Sequence, residues 1–169
     1  MEKIGFGGSC HWCTQAIFLS LKGIRSVLQG WISSEGDHQR FSEAVIVEFD
    51  EQIISPDKLI AIHLATHSCT SDHRMRSKYR SAIYTFDDHQ SAIAQLSIRQ
   101  LQKDYEAPII TVVIPYKCFR LNTEPFLNYY YSDVQKPFCE NIINPKLETL
   151  LKLFSNETDH QKLIHLIKR

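Results

Sequence analysis

Cys10 is the side chain most clearly set up for chemistry. It follows the apolar run Ile4 to Phe6 and the pair Gly7-Gly8, which can turn tightly without steric cost. After it, Trp12, Cys13, Ala16, Ile17 and Leu19 to Leu21 form the broad apolar stripe of a helix that ends at Lys22-Gly23, with Ser9 expected to cap its start. A thiol at a helix N-terminus meets free backbone N–H groups and the positive end of the helix dipole, a setting worth about 0.3–1 kcal/mol to a nearby negative charge. The thiolate is the nucleophilic form, so Cys10 is expected to attack an electrophile. Cys10 and Cys13 also form a Cys-x-x-Cys, and His63 and His67 lie one helical turn apart, followed by Cys69 and His73. Those are residue types that zinc takes, so zinc binding is a second reading of the same cysteine.

The elements around these residues read in one order. Ile4 to Phe6 is a strand, the Cys10 segment a helix, Ile24 to Ser33 a strand, and Glu43 to Asp50 a further strand rich in β-branched residues. A helix runs from Pro56 to about His67, and Ser68 to Lys78 is polar and irregular. Tyr79 to Tyr84 reads as a strand, Asp87 to about Tyr105 as a helix and Pro108 to Tyr116 as a strand. The resulting βαββαβαβ order implies an α+β fold, a two-layer sandwich of helices on a mixed or antiparallel sheet with a ferredoxin-like core. Beyond Lys117 the chain is irregular until Pro145, where Leu147, Leu150, Leu151 and Phe154 share a helical face. Thr158 and Gln161 have capping-box spacing for a last helix, with Leu163, Ile164 and Ile167 as docking contacts. Residues 1–169 are thus expected to form one domain, its core at about 1–116 and an irregular segment with terminal helices at about 117–169.

Composition narrows the function classes. The 19 basic and 19 acidic residues cancel, so no net field draws nucleic acid or an anionic membrane, and no stretch is long and apolar enough to span a bilayer. A neutral substrate or a protein partner fits better. Five cysteines without an N-terminal apolar run suit a cytoplasmic monomer with free thiols rather than a disulfide framework.

The segment Gly7-Gly8-Ser9-Cys10-His11-Trp12-Cys13-Thr14 resembles the Gly-Cys-Phe-Trp-Gly/Cys signature of the A-type peptide methionine sulfoxide reductases. Leu21-Lys22-Gly23-Ile24 with Gly30-Trp31, Ser42 to Asp50, Lys78-Tyr79-Arg80-Ser81-Ala82-Ile83-Tyr84, and Pro137-Phe138-Cys139 with Ile143-Asn144-Pro145-Lys146-Leu147 are similar to further segments of that family, in the same order. The resemblance implies reduction of methionine S-sulfoxide in oxidised proteins. Cys10 would attack the sulfoxide sulfur, methionine would leave, and the cysteine sulfenic acid would condense with a second thiol to a disulfide that thioredoxin, or dithiothreitol in vitro, reduces. No bound cofactor is implied.

The same resemblance assigns roles. Cys139 matches the resolving thiol, Glu43 the acid that protonates the sulfoxide oxygen, Tyr79 a hydroxyl donor to that oxygen, and Trp12 the aromatic that receives the sulfoxide methyl. Period-two alternation separately puts Glu43 on the strand face of Val45, Val47 and Phe49, where burial would favour the protonated carboxyl that an acid needs. His11 stands where the family has phenylalanine, making the methyl pocket more polar or titrating beside Cys10, and Trp31 stands in for a tyrosine as a cleft wall. The loop from Ser33 to Ser42 is short and lacks the family's second tyrosine, and the acidic residue before the Tyr-Arg-Ser strand has only Asp72 or His73 as counterparts.

Two alternatives stay beside this reading: the zinc site, and a thioredoxin-like dithiol made of Cys10 and Cys13. Cys13 is also an auxiliary thiol under the reductase reading, and Cys118 an alternative resolving one. Cys10→Ser should abolish reduction of a methionine sulfoxide peptide with dithiothreitol as reductant; wild-type turnover in that variant would remove Cys10 as the nucleophile.

Overall fold

The computed structural model describes residues 1–169. The chain runs β1 (Glu2–Gly7), α1 (His11–Leu19), β2 (Ile24–Ser33), β3 (Ser42–Phe49), α2 (Pro56–Ala65), β4 (Ala82–Thr85), α3 (Asp88–Leu101), β5 (Val112–Pro115), β6 (Cys118–Leu121), α4 (Tyr129–Ser132), α5 (Asn144–Leu153) and α6 (Ile164–Ile167). Through β5 this is the order expected from the sequence. All six strands join one sheet, β5-β4-β1-β3-β2-β6. Antiparallel pairing of β1 with β3 and β4, and of β2 with β3, makes β4-β1-β3-β2 the ferredoxin-like core. On one edge β5 adds parallel to β4, and on the other β6 adds antiparallel to β2, so the sheet is mixed. No helix is long and apolar enough to cross a membrane.

Alternation along β3 sorts its residues between two faces. Val45, Val47 and Phe49 enter the main core with Ile4, Phe6 and the helices, whereas Ala44 and Ile46 join Ile32, Ala82 and Tyr84 on the reverse face. Glu43 belongs by register with the first set, on the helix-covered side. Helix α1 is buried nearly all round, with His11, Cys13, Thr14, Gln15, Ala16, Ile17 and Phe18 all inaccessible. One flank packs on the sheet. The other is covered by the chain after β6, whose Tyr130, Cys139, Ile143, Leu147, Leu150, Leu163 and Leu166 complete the core.

Local departures from the sequence expectations have local causes. Cys10, not Ser9, is the N-cap residue of α1, and the Ser9 hydroxyl pairs with that of Thr14 at 3.2 Å. β4 starts at Ala82 rather than Tyr79 because the Ser42 hydroxyl donates to the Lys78 carbonyl (2.8 Å) and accepts from the Arg80 N–H (2.7 Å). Pairing at 78–80 is thus part backbone, with the Glu43 N–H donating to the Lys78 carbonyl at 2.9 Å, and part side chain. Thr158 does not cap a helix: its hydroxyl turns back to the Phe154 carbonyl at 2.7 Å, and the residue bridges to Leu21. Leu163 and Leu166 make the final docking contacts, while Ile164 and Ile167 face solvent.

The edge strand β6, in the stretch read as irregular, depends on Gly30. A Cβ there would lie 2.0 Å from the Arg120 carbonyl oxygen, so only glycine lets the two backbones meet. Gly30→Ala should therefore displace β6 and cost about 1–3 kcal/mol of stability, read as a lower urea midpoint; an unchanged midpoint would show that the edge yields freely.

Candidate active site

Cys10 sits at the N-cap of α1 with φ −49° and ψ 133°, partly exposed. Its pKa is lowered from the ordinary thiol value, chiefly because the Cys13 thiol donates a hydrogen bond to it; the N–H groups of Trp12 and Cys13 add to this against opposing effects of burial and of Glu43. Cys13, 1% exposed, is correspondingly held protonated, first by its bond to Cys10 and then by burial. Of the two thiols, Cys10 is therefore the one shifted towards the thiolate and Cys13 the hydrogen-bond donor to it. The turn in front of Cys10 fits tightly against His67, just beyond the end of α2. A Cβ on Gly8 would meet the His67 ring at 2.5 Å, and one nitrogen of Arg76 donates to the carbonyls of Gly8 (2.7 Å) and Tyr79 (2.9 Å).

Glu43 is 6% exposed at the start of β3. Its Oε2 accepts the backbone N–H of His11, at the first position of α1, at 3.0 Å, with the His11 ring Nδ1 at 3.6 Å. The other oxygen, Oε1, faces Lys78 Nζ at 3.6 Å. Both carboxyl oxygens thus face donors, Oε2 a backbone N–H and Oε1 an ammonium. The Lys78 ammonium is stabilised first by the Tyr79 hydroxyl and then by Glu43, which gathers Glu43, Lys78 and Tyr79 into one cluster. Tyr79 reaches it from the loop before β4, fixed by Ser42 and Arg76, rather than from within a strand.

An aromatic wall stands beside the thiol. Trp12 stacks on Tyr129 with ring centroids 4.0 Å apart and planes 6° from parallel, lies at 5.9 Å from Phe126, and meets Phe138 edge-on at 5.5 Å. Trp31 pairs with Glu43 across β2 and β3, and its ring meets that of His11 edge-on at 5.2 Å. His11 itself is 5% exposed. Its Nδ1 donates to the Gly30 carbonyl (3.2 Å) and its Nε2 accepts from the Asn122 amide (3.1 Å). Burial, outweighing the pull of Glu43, lowers its pKa and leaves it neutral. With both ring nitrogens engaged, it is not a base for Cys10.

The remaining sulfur and imidazole groups fall into separate places. Cys139 is fully buried at the start of a π-helical turn, Cys139–Ile143, where burial raises its pKa, and it contributes to the surroundings of Cys13. Cys118 is exposed on β6 opposite Ser33, and Cys69 is buried in the main core. His63 and His67 stack at 4.1 Å, and burial lowers both pKa values, that of His67 to about 4. No three His, Cys, Asp or Glu side chains are arranged to hold a metal ion, so the candidate zinc ligands do not converge. Asp72 is exposed near Arg76, and exposed His73 accepts the Met75 N–H at 3.2 Å, so the charged neighbour of Tyr79 is Lys78.

Sequence reasoning missed Lys78, Asn122 and Tyr129. The first directly precedes a matched tyrosine, and the run Tyr129-Tyr130-Tyr131 ahead of Pro137-Phe138-Cys139 was a usable aromatic signal. Asn122 carried none. Because Cys13 is the largest cause of the low Cys10 pKa, Cys13→Ala should shift the pH profile of Cys10 alkylation by iodoacetamide upward. An unmoved profile would leave the helix end alone responsible.

The family described as peptide methionine sulfoxide reductase matches residues 2–159. A relative from Acinetobacter baumannii, peptide methionine sulfoxide reductase MsrA, is 32% identical over 182 aligned positions, covering 99% of each chain. Among solved structures, reduced Mxr1 from Saccharomyces cerevisiae superposes with a TM-score of 0.72 at 19% identity, covering 82% of this chain and 88% of that one. Mxr1 in complex with Trx2 superposes with a TM-score of 0.61 at 19% identity, over 76% and 84% of the two chains. With the family matched from β1 to beyond α5, the chain belongs to the peptide methionine sulfoxide reductases.

Proposed function

We propose that residues 1–169 act as one reductase domain that repairs the S epimer of methionine sulfoxide in oxidised proteins, as a cytoplasmic monomer without a bound cofactor. The observation that carries this reading is a single helix N-terminus shared by two groups, with Cys10 receiving the N–H groups of Trp12 and Cys13 while Glu43 receives that of His11. A nucleophile and a proton donor are thereby held at one point, as attack on a sulfoxide requires.

In this mechanism the methyl group and side-chain stem of the substrate lie against Trp12. The Cys10 thiolate attacks the sulfoxide sulfur, and Glu43 delivers a proton to the sulfoxide oxygen, which Tyr79 and Lys78 help to hold. A bond forms between the Cys10 sulfur and the substrate sulfur while the S–O bond breaks, the oxygen leaving as water with a second proton from solvent. Water then attacks the Cys10 sulfur, the S–S bond breaks, a proton is returned, methionine leaves reduced, and Cys10 is left as a sulfenic acid. Cys13, already hydrogen-bonded to Cys10, is the first thiol able to displace that hydroxyl as water, giving a Cys10–Cys13 disulfide. Cys139 then attacks Cys13, releases Cys10 as a thiol and hands the disulfide to thioredoxin. This order keeps Cys139 as the thiol that communicates with the reductant, makes Cys13 the intermediary and gives exposed Cys118 no part. The complex of Mxr1 with Trx2 is the support for thioredoxin. A five-residue π-helical turn at Cys139 supports local opening of that segment, since such turns interrupt regular helical bonding.

One equivalent of a methionine-S-sulfoxide peptide, added without reductant and followed by thiol mapping, tests the scheme. A Cys10–Cys13 or Cys13–Cys139 disulfide and one released methionine are expected. A Cys10–Cys118 disulfide would overturn the thiol order, and no released methionine would overturn the activity.

A further inference from the structure

The turn that carries Cys10 has little of its own to hold it. Gly7 and Gly8 bring no side chains, Gly8 takes a φ of 154° that residues with a Cβ rarely adopt, and α1 has no side-chain cap at its start. The place of the sulfur therefore depends on what grips the backbone in front of it from outside. Two side chains from the stretch between α2 and β4 do so. The His67 ring fills the space that a Cβ on Gly8 would need, and the Arg76 guanidinium holds the Gly8 carbonyl. His67 is fixed in turn: its Nδ1 donates to the His63 carbonyl (2.5 Å), and Nε2 of the neutral ring accepts from the Ser81 hydroxyl (2.7 Å), two residues beyond Tyr79.

The hydrogen-bond partners of Arg76 are all main-chain carbonyls. Nη1 donates to Gly8 (2.7 Å) and Tyr79 (2.9 Å), Nη2 to Ser68 (2.6 Å) and Nε to Ser71 (2.9 Å). No carboxylate lies within ion-pair distance of the guanidinium. Four charge-assisted bonds from one planar group fix the relative places of three segments: the thiol turn, the chain leaving α2 and the loop that carries Tyr79. We infer that Arg76 is a positioning residue for the reductase reaction, its fork holding the Gly8 turn and Tyr79 at a fixed separation so that the Cys10 sulfur and the Tyr79 hydroxyl meet one substrate in one geometry. That Tyr79 touches the substrate rests on the reductase reading; the tie between Gly8 and Tyr79 does not.

Two variants of the full chain separate the fork from the charge. Arg76→Met keeps the aliphatic stem and loses every donor. Arg76→Lys keeps the stem and the charge, but its donors sit on a single nitrogen that cannot span the four carbonyls. In both, hydrogen–deuterium exchange should quicken in residues 8–14 and 68–80 together, because one clamp protects both segments. Single-turnover reduction of a methionine-S-sulfoxide peptide at saturating concentration should slow about tenfold, as a small misplacement of reacting groups costs rate more than binding, with KM little changed.

Faster exchange in 68–80 alone, with the Cys10 turn as protected as in the wild type, would make Arg76 a brace for its own loop and overturn the inference. A wild-type rate in folded Arg76→Met, with only the urea midpoint lowered, would show a purely structural role and overturn it equally. A wild-type rate in Arg76→Lys would make the charge, not the fork, the agent, and that outcome also rejects the clamp. If Arg76→Met does not fold, Arg76→Lys carries both measurements. Should the wild-type protein itself release no methionine, the reductase reading fails instead, and the exchange measurement alone then decides whether Arg76 ties the two segments.

Discussion

The hydrogen bond from the His11 backbone N–H to Glu43 Oε2 joins the first turn of α1 to the start of β3, and the rest of the site is arranged around it. A helix end offers only a few free N–H groups, and here they are divided between a thiol and a carboxyl. The division couples the two. Negative charge on Glu43 raises the Cys10 pKa, against the hydrogen bonds that lower it. Sulfoxide reduction in general calls for both kinds of group, a thiolate to attack and an acid to protonate the departing oxygen.

Holding this arrangement still requires support from every side of α1. Below, the β3 residues beyond Glu43 are apolar and fix the strand's face, so the carboxyl cannot rotate to the reverse side without moving Val45 and Val47 out of the core. In front, Arg76 ties the loop at Gly8 to Tyr79, so the hydroxyl-bearing loop and the thiol-bearing turn move together. Behind, the amide chain of Gln15, Gln29 and Asn122 fills polar space that a shorter apolar contact would not reach.

The sequence carried the sheet core and the placement of Cys10 at a helix start clearly because both follow short-range rules. Alternation from Glu43 to Phe49 gave the correct face, and the glycine turn before Cys10 gave the helix start. Tyr79 was legible by motif, but its backbone was not. The Ser42 hydroxyl that takes up the Lys78 carbonyl and the Arg80 N–H is almost forty residues away in sequence, and no local propensity reports it. His11 was the least legible residue. A histidine next to a reactive cysteine reads as a group that makes the pocket more polar or titrates beside the thiol, and only Gly30 and Asn122, brought in by β2 and β6, show that its nitrogens are already occupied. β6 was hidden for a related reason: Cys118–Leu121 is a four-residue edge strand that exists because Gly30 leaves room for it.

The enclosure of α1 also has a consequence for how the molecule comes into being. The helix leaves the ribosome well before the residues between Asn122 and Leu166 that cover one of its flanks. Such contacts, far apart in sequence, form late and slowly. Until they do, Cys10 and Cys13 lie on a half-covered helix, open to any oxidant or stray thiol. The reactive sulfur is thus made early and sheltered late, and for the nascent chain a supply of reducing equivalents matters before the enzyme has done any work.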